Sequence, residues 1–87
     1  MSDDALLAAL DSIPANYYLY VQYKHPTTMG TAMDEGTLKK VDRAKREIVL
    51  FSPIYSNERS LKFDAVEGIA ITPSESSPLR RKAVYEK

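Results

Sequence analysis

The chain has 87 residues, with 12 Lys+Arg balanced by 12 Asp+Glu and no cysteine, which leaves room for one small domain and one hydrophobic core. Zero net charge excludes a broadly basic nucleic-acid binder, and the lack of cysteine excludes disulfides, thiol catalysis and thiolate metal sites. The apolar runs are too short to span a membrane, and the Met-Ser-Asp-Asp start is acidic where a secretory leader is basic, so a cytoplasmic protein with no membrane partner is expected.

Asp3 and Asp4 precede a run of strong helix formers in which Leu6 and Leu10 stand one turn apart. A capped helix over about residues 3–13 is predicted, ending by Pro14. So short a helix is marginal alone and must lay its Leu6, Leu10 and Ile13 side on the rest of the domain.

From Tyr17 the period becomes two. Tyr17, Leu19, Val21 and Tyr23 share one side of a strand, and Tyr18, Tyr20, Gln22 and Lys24 the other. His25-Pro26 breaks it, and the next ten or so residues read as a long connection. A second strand is expected from Glu35 to Val41, where Leu38 and Val41 can share a face only across a bulge or twist. The polar Asp42–Arg46 segment suits a tight turn. Glu47–Phe51 follows as a central strand, apolar on both faces.

After a connection around Tyr55–Glu58, a fourth strand over Arg59–Phe63 points Leu61 and Phe63 inward. Asp64–Glu67 makes a single turn, and Ile69–Ile71 a brief fifth strand. Residues 73–87, with four basic and two acidic side chains, read as a flexible basic tail outside a domain spanning residues 1–72. A helix followed by five short strands, the last two joined by one turn, is the element order of a small five-stranded bent antiparallel sheet, an Sm-like or SH3-like barrel.

The local text sharpens that likeness. Gly36, Leu38 and Asp42 resemble the Gly-apolar-Asp spacing of the first Sm motif, and Val66-Glu67-Gly68 occupies the place of the second. At the positions where uridine-reading Sm proteins carry Asn and Arg, this chain has Arg46 and Glu67. Glu35–Asp42, reading EGTLKKVD, and Leu61–Val66, reading LKFDAV, are similar to two segments of the YolD-like family of small bacterial proteins. That resemblance covers residues 17–71. It implies a small accessory or regulatory protein, some relatives being associated with error-prone polymerases of the DNA-damage response, and it implies no catalytic residues.

Chemistry-bearing groups are sparse. The only histidine, His25, precedes proline and reads as a turn residue, and no cofactor or metal is expected. Beyond the helix-start Asp3 and Asp4, the close acid pairs are Asp34 with Glu35 and Asp64 with Glu67. Both sit at strand ends where solvated carboxylates are usual, no nucleophile elbow or phosphate loop exists, and an enzyme is not expected.

Two binding readings remain. Lys39, Lys40, Arg43, Lys45 and Arg46 form the densest basic segment, a candidate nucleic-acid contact for RNA or single-stranded DNA that the tyrosines of the first strand would assist by stacking. Tyr18, Tyr20, Phe51 and Leu61 are the candidate interface for a protein partner or for a second copy joined through edge strands. The second reading leads: a non-enzymatic protein-binding or regulatory module.

Overall fold

In the computed structural model, which describes residues 3–14, 17–25, 27, 30–73 and 81–87, Asp4–Asp11 forms helix α1 and buries Leu6, Ala9 and Leu10. Six strands follow: β1 (Tyr17–Lys24), β2 (Thr31–Asp42), β3 (Glu47–Ser52), β4 (Asn57–Lys62), β5 (Val66–Pro73) and β6 (Lys82–Glu86). A single 3-10 turn, Phe63–Ala65, joins β4 to β5. All the pairings are antiparallel, and the order across the sheet is β4-β3-β2-β1-β5-β6.

That order forces the sheet to curl. In a flat sheet β4 and β5 would lie four strand spacings apart, roughly 19 Å. The chain from Lys62 to Val66 can span at most roughly 14 Å. The sheet therefore wraps its apolar face inward, where Leu19, Val21, Ile48, Leu50 and Val66 are fully buried and Leu6, Leu10 and Phe63 join them. Burying each such side chain contributes about 1.5–3 kcal/mol. For a domain of this length the net stability is only about 4–13 kcal/mol, so the loss of any one is serious.

β1 alternates as its sequence demands. Leu19 and Val21 are core, Tyr17 and Tyr23 flank them, and Tyr18 and Tyr20 face the other side. The anticipated irregularity in β2 is a bulge at Lys39. Leu38 pairs with Leu50, but the next pair is Lys40 with Val49, so Leu38 and Val41 both reach the core.

Gly36 lies where β2 closes on β3. It has φ +156°, and a Cβ there would stand 2.4 Å from the Phe51 carbonyl oxygen. Only glycine lets the two backbones approach so closely.

Four expectations need correction. The domain is an open curled sheet, since no ladder joins β4 to β5 among the described residues; the 3-10 turn brings those strands together without pairing them. β2 begins at Thr31, because Thr31 and Ala32 find ladder partners in Lys24 and Tyr23 of β1; the long connection is correspondingly shorter. Phe63 belongs to the turn although it is core.

Finally, Lys82–Glu86 is no tail. It pairs along β5, with Ile69 opposite Tyr85 and Ala70 opposite Ala83, while Val84 and Tyr85 pack on the core. Two half-buried side chains plus a ladder were enough to order a segment whose composition reads as polar. The expectation for residues 74–80 lies outside the described residues.

Candidate binding surfaces

The basic segment does not form one patch. Lys39, pushed out by the bulge, pairs with Glu58, Lys40 lies 3.8 Å from Asp42, and Arg43 lies 3.8 Å from Asp11. Arg46 is the most engaged. Its Nε and Nη2 donate to the Asp3 carboxylate at 2.8 and 2.7 Å, and its Nη1 and Nη2 donate to Asp64 at 3.1 and 2.7 Å. Of the five, only Lys45 makes no salt bridge among the described residues.

Arg46 thus works as a tether. Its backbone takes φ 53°, closing the β2–β3 turn, and its carbonyl accepts the Phe63 N–H at 2.8 Å. Hydrogen bonding to Asp3 and then Asp64 pushes the guanidinium further above its ordinary range, and the same bond holds the Asp3 carboxyl below the usual carboxylate value. Asp3 was expected to cap α1. It stands at the N-cap position without a side-chain cap bond, because a charged, bidentate partner outcompetes a backbone N–H. Asp42 turns back instead, accepting the Lys45 N–H at 3.0 Å, which lowers its carboxyl as well.

Beneath this turn lies an open cavity of about 660 Å³, lined by Lys24, His25, Lys45, Arg46, Lys62 and Asp64. The lysines come from three separate places: the end of β1, the β2–β3 turn and the end of β4. Lys62 also reaches Glu47 at 3.1 Å. His25 Nδ1 accepts the Thr27 N–H at 3.2 Å and contacts the Thr27 hydroxyl at 3.0 Å.

The four candidate interface residues divide between the faces. Leu61 is core, 7% exposed, because it lies opposite Ile48. Tyr18 and Tyr20 meet edge to face with ring centroids 5.4 Å apart. The Arg81 guanidinium sits 4.4 Å from the Tyr20 centroid, so this ring is already covered and offers no bare platform for a base. The Tyr18 hydroxyl is buried with no hydrogen-bond partner among the described residues, and burial, then the charge of Glu35, pushes its pKa up.

Phe51 is half-buried on the outer face near the β3–β4 turn, where Ile54 and Tyr55 are the most exposed large apolar side chains described. This turn leads into β4, an edge with no outer strand among the described residues and five of its own six residues exposed.

The acid pairs do not converge. Asp34 and Glu35 are successive strand residues on opposite faces, Asp34 lying 3.6 Å from Arg59, and Asp64 is held by Arg46. No group of three or more His, Asp or Glu side chains that could hold a metal ion occurs among the described residues, nor any helix long and apolar enough to cross a membrane.

Sequence reasoning missed the cavity because Lys24, Lys45 and Lys62 are far apart in the chain and only the curl brings them together. It also missed the exposed Ile54 and Tyr55; a Pro-Ile-Tyr-Ser turn carrying large apolar residues was the available signal. No family model, curated protein or solved structure matches the chain.

Proposed function

We propose that the chain is a small non-enzymatic protein-binding module that works by strand addition at β4, and that the occupant of this edge is a second copy. The observation that carries this is the β4 edge itself: six residues without an outer strand among the described residues, next to the exposed Ile54 and Tyr55. At the other end of the five core strands, β5 is already occupied by β6, which favours β4 as the seat of an incoming strand.

The charges of β4 suit its own antiparallel image. With Ser60 opposite Ser60, Glu58 of each copy would lie opposite Lys62 of the other and could exchange its present partner Lys39, as Lys62 could exchange Glu47, for a pair across the two-fold axis. Sedimentation equilibrium tests it. The wild-type chain is expected to dimerise with concentration, Glu58→Lys to weaken the dimer, and Glu58→Lys with Lys62→Glu to restore it, far-UV circular dichroism confirming that each variant is folded. A monomer at every concentration sinks the reading.

The strand order β4-β3-β2-β1-β5, with its one-turn link, supports kinship with the Sm-like barrels. The YolD-like text of residues 35–42 and 61–66 extends the proposal to an accessory role beside an error-prone polymerase. The competing Sm-like nucleic-acid reading rests on Lys39, Lys40, Arg43, Lys45 and Arg46, four of which are in ion pairs. Titration with labelled single-stranded RNA and DNA at two salt concentrations separates the two: strongly salt-dependent binding lost on substituting Lys39, Lys40 and Arg43 would favour nucleic acid.

A further inference from the structure

We infer that the cavity between the end of β1, the β2–β3 turn and the β4–β5 link is an anion site that takes a polyphosphate group. The chain as a whole has no net charge, yet Lys24, Lys45 and Lys62 converge on this one concavity. Lys24 and Lys45 make no salt bridge among the described residues. The one acid lining the cavity, Asp64, is held by the Arg46 guanidinium, which it shares with Asp3, so the uncompensated positive charge of the hollow comes from Lys24 and Lys45.

His25 strengthens the site. Its Nδ1 accepts the Thr27 N–H, so the neutral ring carries its proton on Nε2 and adds a donor beside the ammonium groups of Lys24 and Lys45, while that of Lys62 is shared with Glu47. Lysine ammoniums are compact charges with several donors each, suited to phosphate oxygens but unable to read a base. At about 660 Å³ the cavity falls in the size range of small-ligand sites.

A small polyphosphate fits better than an extended nucleic-acid backbone. Beyond the cavity, Lys39, Lys40 and Arg43 are matched by Glu58, Asp42 and Asp11, and these carboxylates would repel phosphates running along the β2–β3 hairpin. The polyphosphate can be inorganic or can belong to a nucleotide, since the lysines meet the same oxygens in both.

The test is titration of the full chain with pyrophosphate, with ATP and with a short oligothymidylate at low salt, followed by amide chemical shifts and calorimetry. Pyrophosphate is expected to shift the amides of Lys24, His25 and Lys45. Lys24→Gln and Lys45→Gln are each expected to weaken binding about fivefold, the effect of losing one charge about 4 Å from another in water. Lys45→Arg should retain binding, and Lys39→Gln and Lys82→Gln should leave it unchanged.

Equal affinity for pyrophosphate and ATP supports an inorganic ligand, and tighter ATP binding supports a nucleotide. The inference is overturned if millimolar pyrophosphate leaves those amides unmoved, if Lys39→Gln weakens binding as much as Lys45→Gln, or if the oligothymidylate binds more tightly than either small ligand. Thermal midpoints of the variants show whether a loss of binding is a loss of fold.

Discussion

Replacing Gly36 by alanine sets a methyl group against the backbone of β3. The new Cβ would lie 2.4 Å from the Phe51 oxygen and 2.8 Å from its carbonyl carbon, where ordinary contact begins at 3.4 Å. The strands would have to part by about 1 Å. Neither obstacle is a flexible side chain, so relief must come from the ladder in which Thr37 faces Phe51 and Leu38 faces Leu50. Losing two ladder hydrogen bonds costs about 2 kcal/mol, and a side chain held at this positive φ adds about 1–3 kcal/mol.

The expected loss is therefore about 3–5 kcal/mol, a large part of the stability of so small a domain. Urea unfolding followed by circular dichroism measures it directly from the midpoint at constant slope. A Gly36→Ala variant within about 0.5 kcal/mol of wild type would refute the reasoning, because β2 would then have room that the geometry denies it.

Leu61→Ala should cost about 2–5 kcal/mol in the same experiment, as expected of a core leucine, whereas Tyr55→Ser, 75% exposed, should stay within about 0.5 kcal/mol; the reverse ranking would return Leu61 to an interface. Asp3 and Asp42 are held below their ordinary value of 3.8, so each is harder to protonate folded than unfolded. Their contribution is complete above that value and is lost as pH falls through the lowered folded value. In Arg46→Met the Asp3 share of this acid loss should vanish and the thermal midpoint at neutral pH should fall by a few degrees; an unchanged acid limb in melts from about pH 7 to about pH 2 would show that the tether is idle. Arg81→Ala should remove about 0.5–1 kcal/mol of ring contact at Tyr20 and speed hydrogen exchange in β6; unaltered exchange would mean that the β5 ladder with Val84 and Tyr85 anchors β6 without help from Arg81.

Much of the architecture can be read from periodicity. The alternation around Leu19 and Val21 locates the face of β1, and the misfit of Leu38 with Val41 announces the bulge at Lys39. What cannot be read is whatever depends on distant chain segments meeting. Lys82–Glu86 becomes a strand only because β5 offers it a ladder and the core offers Val84 and Tyr85 a surface. Arg46 reads as one more exposed cation in a basic run, and its role emerges only when the curl sets Asp3 and Asp64 on either side of it. Leu61 reads equally as edge or interior, and its opposition to Ile48 decides the matter. The cavity belongs to the same class, since its lysines share no motif and are brought together by the one-turn link between β4 and β5.

The double grip of Arg46 has a consequence for the start of the chain. Helix α1 is only two turns long, and the guanidinium that latches the residue just before it, Asp3, also lines the lysine-bearing hollow. An anion settling there would compete with both carboxylates for the four N–H bonds they now accept. Whatever draws the latch aside would be felt first as fraying of Asp4–Asp11, turning the helix into an indicator of what occupies the hollow.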